Sequence, residues 1–327
     1  MKKVSLLAGL ASLVALMGCN DNKGGVVDVA TTSPLAIVRV DSYLMDNDVT
    51  SLPDSMTEAE QFLDYIVNRS ITGDTNVVEQ YKSSRAFQIF APDVKSRFLQ
   101  QDSLEQVMGV IDARLKELSG REKGLGHLYG IINPYNVPVV TTDSTVMIGL
   151  NHYLGTDYPG YAGFEDYKIR AKRAAHLPYD VAEARIVADN PFRSVSDPTL
   201  ISRMIYWGAV ANYVEAVVPD ADQRELFNLT DSELEWLGNN SEKVWNRMIE
   251  QQMIYSTNPD IADRILYPAP KSFIINGDAP GMTGRYIGYL IVKSYLKNNP
   301  EATLQQMLSS ELYNDENTLI NSEFSGK

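Results

Sequence analysis

The sequence is poor in the residues on which many structural and catalytic sites depend. It has one cysteine and three histidines in 327 residues, which excludes an internal disulfide scaffold and zinc sites built from several cysteines. Basic residues are also few, because 29 Lys and Arg face 42 Asp and Glu and the formal net charge is -13. An acidic protein repels phosphate backbones, so the composition disfavours nucleic-acid binding. With 44% apolar residues, the chain can nevertheless bury a sizeable core, and disorder throughout is excluded.

Familiar catalytic motifs are missing as well. His127, His152 and His176 lie far apart in sequence, and none belongs to the His-Glu-x-x-His pattern of a zinc peptidase. The sequence has no Gly-x-Ser-x-Gly nucleophile motif, and Gly281-Met282-Thr283-Gly284 lacks the Gly-Lys-Ser/Thr ending of a phosphate-binding loop. We therefore expect no catalytic residue, no metal and no cofactor.

The amino terminus has the layout of a secretory signal. Two lysines precede an apolar run over residues 6–17 that is too short to span a bilayer as a permanent helix. The run ends in Leu16-Met17-Gly18-Cys19, which resembles the lipobox of bacterial lipoproteins, and the only cysteine stands where lipid attachment requires a thiol. The alternative is an ordinary signal peptide followed by an incidental cysteine.

These features predict the organisation of the chain. Residues 1–18 are expected to be a lipoprotein signal peptide that is removed. Residues 19–34 are expected to be the lipid anchor, with palmitate on Cys19, followed by a flexible tether rich in Gly, Asn and Asp. No repeat or change in composition divides residues 35–327, which we predict to be a single domain.

Periodicity within residues 35–327 predicts an α+β fold that is mainly helical, with a small central sheet. An apolar, β-branched run over residues 35–40 predicts a strand, and two or three short strands are expected in residues 128–150. Long helices are predicted from Asp197-Pro198 toward Pro219 and over residues 282–296. Three capping pairs predict further helix starts: Thr57 with Glu60, Ser103 with Gln106 in a helix ending at Gly120, and Thr230 with Glu233.

Several motifs, taken in their order and spacing, resemble the gliding-motility lipoprotein family GldB. The resemblance runs from the signal to about Leu308. Besides the lipobox, it rests on Asn151 to Tyr161, Met204 to Gly208 with Pro219-Asp220, Ile254 to Pro259, Tyr267 to Pro270, and Pro280 to Gly288.

The resemblance implies a lipoprotein of the Bacteroidetes cell envelope, anchored at the outer membrane, that is required for gliding alongside the type IX secretion apparatus. No enzymatic activity is established for that family. The resemblance also implies a distant, gluzincin-peptidase-like fold without the metal ligands. The corresponding first helix lies near residues 178–184 and contains no histidine, and Trp207 stands where a glutamate ligand is expected.

The matched segments also suggest a cleft or binding surface left over from a peptidase-like ancestor. The candidate residues are aromatic or charged, and Arg285 is suited to binding a carboxylate. They are Tyr153, Asp157, Tyr158, Tyr161, Trp207, Arg285 and Tyr286. The alternative is that the tyrosines pack in the core and that Arg285 pairs with an internal aspartate.

Three functions remain open on the sequence. The first is a non-catalytic envelope lipoprotein that contacts the membrane through lipid on Cys19 and supports the motility or secretion apparatus by binding its envelope proteins. The second is a divergent peptidase-like hydrolase of the envelope. The third is a surface lipoprotein that binds glycan or peptide, which the 18 tyrosines suggest.

Overall fold

The structure, a computed structural model, describes residues 32–68, 76–193 and 195–327. The predicted signal peptide, Cys19 and the tether up to residue 31 lie outside the described residues, so these predictions stay as they were. Within the described ranges the protein has the α+β architecture that the sequence predicts, with many helices around a small sheet.

The sheet has four strands in the order β1-β2-β4-β3. They are β1 (Ile37–Arg39), β2 (His127–Ile131), β3 (Val139–Thr141) and β4 (Thr145–Gly149). β2 lies parallel to β1 and β4, with Leu128 opposite Ile37 and Val146, whereas β3 is antiparallel to β4. Every residue of β4, and every residue of β2 except His127, is buried, as expected for strands covered on both faces. Three strands in the predicted central region are thus confirmed.

The helices are, in chain order, α1 (Val40–Asp46), α2 (Thr57–Asn68), α3 (Val77–Ser83), α4 (Arg85–Arg97), α5 (Asp102–Ser119), α6 (Asp166–Arg170), α7 (Leu177–Asp189), α8 (Leu200–Val217), α9 (Gln223–Leu226), α10 (Asp231–Glu250), α11 (Pro259–Leu266), α12 (Thr283–Asn298), α13 (Leu304–Met307), α14 (Ser310–Tyr313) and α15 (Glu316–Ser322). Short 3-10 turns occupy Asp54–Met56, Leu150–His152, Pro159–Tyr161 and Met253–Tyr255.

Some predicted helix ends are correct and others are displaced. The capping box of Thr230 and Glu233 opens α10, and Gly120 ends α5 in the left-handed conformation with φ 64°. α12 confirms the predicted long helix near the end of the chain. The start predicted at Asp197-Pro198 is wrong by two residues, because the side chain of Thr199 accepts a hydrogen bond from the Ser202 amide and caps α8.

Helices α7, α8 and α12 form the centre of the helical part. α8 is buried along most of its length, as is the first half of α12, and the two cross where Gly208 meets the backbone of Gly288. Asn212 of α8 fixes the crossing by donating to the carbonyl oxygen of Tyr289 at 3.1 Å. Because α7 packs on α8, these three helices bring their side chains to one place beside the sheet.

Candidate functional site

A cleft of about 390 Å³ opens between α7, the beginning of α12 and the segment that links the sheet to α7. This volume lies within the range of about 300–1,000 Å³ that small-molecule sites occupy. Polar side chains concentrate along its wall: His152, Tyr153, Lys172, His176, Asp180, Glu183 and Arg285.

One part of this wall is a chain of hydrogen-bonded and charged groups around His176. Its Nδ1 lies 3.2 Å from Glu225 Oε2, and its Nε2 lies 3.6 Å from Asp180 Oδ1. Tyr153 donates its hydroxyl to the other oxygen of Asp180 at 2.7 Å, and Arg173 donates to Glu225 at 2.8 Å. Burial alone lowers the pKa of His176, but the two carboxylates together outweigh burial and the Arg173 charge, so the pKa is raised.

A second part is the contact between Lys172 and His152, both of which are buried. Lys172 is 7% exposed, and its ammonium donates to His152 Nδ1 at 3.2 Å. The same ammonium lies 5.0 Å from the ring centroid of Tyr161 and 4.9 Å from that of Phe164. Burial, and then the Lys172 charge, lower the pKa of His152 to about 4, so the imidazole is neutral at pH 7 and its Nδ1 accepts a hydrogen bond from Lys172.

The third part is Arg285, on the first turn of α12. Its Nη1 donates to both carboxylate oxygens of Glu183, at 3.0 and 3.1 Å, across to α7. The guanidinium carbon lies 3.7 Å from the ring centroid of Trp207, which is a close cation–π contact. Arg285 is 7% exposed, and its Nε has no hydrogen-bond partner among the residues that the structure describes. The acid that it pairs with is therefore a glutamate at the cleft wall and not an internal aspartate.

Among the predicted cleft residues, Tyr153 and Arg285 line the cleft. Two others, Trp207 and Tyr161, do not line it, but each packs its ring against one of the cleft's cations. Trp207 lies under Arg285. Tyr161 lies beside Lys172 and donates its hydroxyl to the carbonyl oxygen of Asn151 at 2.5 Å.

The other three predicted residues do not line the cleft. Asp157 is exposed to solvent. Tyr158 donates its hydroxyl to Asp93 at 2.8 Å, and its ring packs against those of Phe90 and Tyr161. Tyr286 is buried, with its ring centroid 5.4 Å from that of Phe227. Their proximity in sequence to Tyr153 and Arg285 does not place them at the wall, because successive helix and loop residues point in different directions.

The predicted cleft residues do not include five that line it, namely His152, Lys172, His176, Asp180 and Glu183. A signal for three of them is present, since His176, Asp180 and Glu183 are spaced to share one face of a helix. The helix predicted near residues 178–184 is α7, and His176 directly precedes it. Across the described residues, no three His, Cys, Asp or Glu side chains are grouped so that they could hold a metal ion.

A second concavity, of about 620 Å³, lies between α2 and the β3–β4 hairpin. Its described lining contains Phe62, Tyr65, Tyr135 and Glu58, and no lysine or arginine. Glu58 already bonds His127 at 3.0 Å and Ser144 at 3.1 Å. The cleft beside α7 is therefore the site with the greater concentration of buried charge.

Comparison with models of known protein families shows to which family the chain is related. The family model for gliding motility protein GldB matches residues 22–326, which is nearly the whole sequence. The chain belongs to the GldB family. No curated protein and no solved structure gives a significant match. The likeness to gluzincin peptidases therefore rests on the sequence resemblance alone.

Membership places the protein among motility-associated lipoproteins of the cell envelope, a family that is not known as enzymes. None of the helices in residues 32–68, 76–193 and 195–327 is long and apolar enough to span a bilayer.

Proposed function

We propose that this GldB-family protein is an outer-membrane lipoprotein, anchored through Cys19, that supports gliding motility and type IX secretion by binding other envelope proteins without catalysing a reaction. The observation that carries the proposal is the family match over residues 22–326. The lipobox-like sequence ending in Cys19 supports the anchor.

The chemistry of the cleft favours binding over proton transfer. A general base must be able to take up a proton near the working pH. The Nδ1 of His152 already accepts from Lys172, and the low pKa of His152 makes it a weak base. His176 lies between two carboxylates that raise its pKa and favour its protonated form. Tyr153 stays protonated because burial, and then Asp180, raise its pKa well above the ordinary value.

The test is a clean deletion in the native host, complemented by the tagged wild-type chain. We expect the deletion to reduce spreading on agar, where the host glides, and to reduce secretion of type IX substrates. Mild crosslinking and affinity purification from the envelope are expected to recover components of that apparatus. A different outer-membrane lipoprotein with the same tag serves as the control.

Two results would contradict the proposal. One is normal motility and secretion in a deletion strain whose loss of the protein is verified by immunoblot. The other is hydrolysis of envelope peptides by the purified chain that Asp180→Asn abolishes, which would favour the hydrolase instead.

A further inference from the structure

We propose that the cleft beside α7 binds the carboxylate of an organic monoanion, with Lys172 as the cation that holds it. The inference goes beyond the proposed function and does not depend on which envelope proteins the chain contacts. It rests on the charges along the cleft wall, on the surroundings of Lys172 and on the apolar remainder of the lining.

The charges at the cleft compensate one another except at Lys172. Arg285 is neutralised by Glu183, and Lys168 at the rim pairs with Glu165 at 2.7 Å. His176 and Arg173 lie against two carboxylates, those of Asp180 and Glu225. Lys172 makes no ion pair within 4.0 Å in the described part of the chain, and its ammonium contacts His152 instead. Lys172 is therefore the cation of the cleft wall that no neighbouring carboxylate neutralises.

Lys172 is in an environment that is costly for a cation without an anion. It is 7% exposed, and its ammonium contacts a neutral imidazole and the faces of two aromatic rings. Burying an ammonium with so little compensation is unfavourable, and burial accordingly lowers the pKa of Lys172. Asp180 opposes this decrease from a distance, but it is already engaged by His176 and Tyr153.

The lysine side chain is not needed to hold its own segment of backbone. The amide of Lys172 donates to Ile169 at 2.8 Å, and its carbonyl oxygen accepts from Gly155 at 2.9 Å, so the main chain is fixed independently of the ammonium. Burying this cation costs stability, and the local fold does not require it. An anion that enters the cleft and pairs with Lys172 explains why the cation is there.

A carboxylate fits this wall better than a phosphate. Asp180 and Glu183 lie at the same wall, and their negative charges disfavour a dianion more strongly than a monoanion. Arg285 uses only Nη1 for Glu183, and among the described residues no hydrogen bond from Nη2 is found, so Nη2 is able to donate to a ligand oxygen.

The rest of the lining points to a ligand with an apolar body. Tyr167, Tyr179, Leu226, Pro268 and Met282 contribute apolar and aromatic surface to the cleft. Such a combination of a few polar anchors in a mainly apolar cavity is typical of sites for small organic molecules or peptide ends. The two sources share the carboxylate, and the experiment separates them.

The experiment uses the full chain, purified in detergent, and calorimetric titration with four probes at pH 7. They are acetyl-Ala-Phe with a free carboxylate, the same dipeptide as its amide, phenylpropionate, and inorganic phosphate. We expect the free dipeptide or phenylpropionate to bind at least about tenfold more tightly than the amide and phosphate, as one charge-assisted contact implies. Tighter binding of the dipeptide indicates a peptide terminus, and tighter binding of phenylpropionate indicates a small organic acid.

Lys172→Met is expected to weaken binding of the preferred carboxylate by about tenfold or more, since it keeps the length of the side chain and removes the charge. Lys168→Met is the matched control, because it removes the lysine that is already paired at the rim, and affinity is expected to change by less than about threefold. The proposal is wrong if the amide or phosphate binds as tightly as the carboxylates, if no carboxylate binds at millimolar concentration, or if the two lysine variants behave alike. The comparison of acid with amide uses the wild-type chain and does not depend on the folding of any variant.

Discussion

Two cations at the cleft differ in how their surroundings stabilise them. Arg285 is held by a carboxylate on one side and the indole of Trp207 on the other, whereas Lys172 contacts a neutral imidazole. The planar guanidinium suits the first arrangement, because it stacks and forms paired hydrogen bonds at the same time. Arg285 thus contributes to stability, and Lys172 costs stability until a ligand enters.

Replacing Arg285 with alanine is expected to destabilise the fold by about 2–4 kcal/mol, more than a surface ion pair is worth. The variant loses the cation–π contact and leaves Glu183 unpaired, but the side chain of Glu183 is 34% exposed and stays partly hydrated. Urea denaturation of the purified chain measures the change. Arg285→Lys is expected to recover part of the loss, and Glu183→Gln in the Arg285→Ala background should cost little more. A loss below about 1 kcal/mol would mean that the pair behaves as an exposed one.

Protonation of His152 gives the stability of the protein a predicted pH dependence. Its folded pKa of about 4 lies below the ordinary 6.5, so below 6.5 the unfolded chain binds the additional proton first. Stability should therefore fall as the pH decreases from 6.5 to 4, by about 3 kcal/mol from this group alone. Urea denaturation of His152→Gln at each pH is expected to lack this part of the loss, because glutamine does not titrate in this range, and its side-chain oxygen can still accept a hydrogen bond from Lys172. Parallel pH profiles for the two proteins would contradict the prediction.

Of the residues predicted to form a cleft, Tyr153 and Arg285 line the one beside α7, whereas the groups that bind these two side chains were not predicted. Asp180 and Glu183 belong to residues 178–184, which the peptidase resemblance marks only by their lack of histidine, although the spacing of both from His176 predicts a shared helix face. Glu225 reaches His176 from a distant part of the chain, and Lys172 is one of several cations in its segment. The contact of Glu225 with His176 and that of Lys172 with His152 leave no pattern in the local sequence, because tertiary packing creates both contacts.

At the scale of elements, the predicted helix starts show that neighbouring turns compete with a capping side chain for its hydrogen bonds. Thr230 and Glu233 form the reciprocal bonds of a capping box. The helix start predicted at Thr57 is correct, since α2 begins there, but the hydroxyl of Thr57 donates to the carbonyl oxygen of Asp54 at 2.9 Å, in the 3-10 turn Asp54–Met56 that precedes the helix. The start predicted at Ser103 is wrong, since α5 begins at Asp102 and no side-chain cap is found among the described residues.

The strands show the same division between local and distant determinants. β-branched runs predicted the strands in residues 35–40 and 128–150, although β1 ends at Arg39 because Val40 already begins α1. The parallel pairing of β1 with β2 joins segments that α1 to α5 separate, so local periodicity carries no information about it.

The crossing of α8 and α12 depends on a glycine contact that can be tested directly. A Cβ on Gly288 would overlap the carbonyl group of Met204, so Gly288→Ala must force the helices apart. We expect a loss of about 3 kcal/mol in unfolding free energy, as for an overpacked core. The control is Gly238→Ala on the exposed face of α10, where a Cβ meets nothing within 4 Å and helix propensity predicts a gain of about 0.5–1 kcal/mol. Equal effects of the two changes on the urea midpoint would contradict this account of the crossing.

At the scale of the whole molecule, net charge sets how the protein can meet a membrane. The formal net charge is -13, and membrane surfaces with anionic lipids repel such a protein. The acyl chains proposed on Cys19 would supply the missing attraction through buried methylene groups, and stable anchoring requires more than one chain. The acidic composition therefore makes a lipid anchor the means of membrane attachment that we propose for this protein.

Lipid attachment is predicted to depend on Cys19 alone, because it is the only thiol in the sequence. Cys19→Ser in the native host should abolish incorporation of radiolabelled palmitate and move the protein from the membrane fraction to the soluble fraction. Asn20→Ser is the matched control, since it places the same residue type one position later and keeps the thiol, so labelling and fractionation should be unchanged. If Cys19→Ser remained both labelled and in the membrane fraction, acylation at this residue would be ruled out, and another means of attachment would have to overcome the repulsion of an acidic chain.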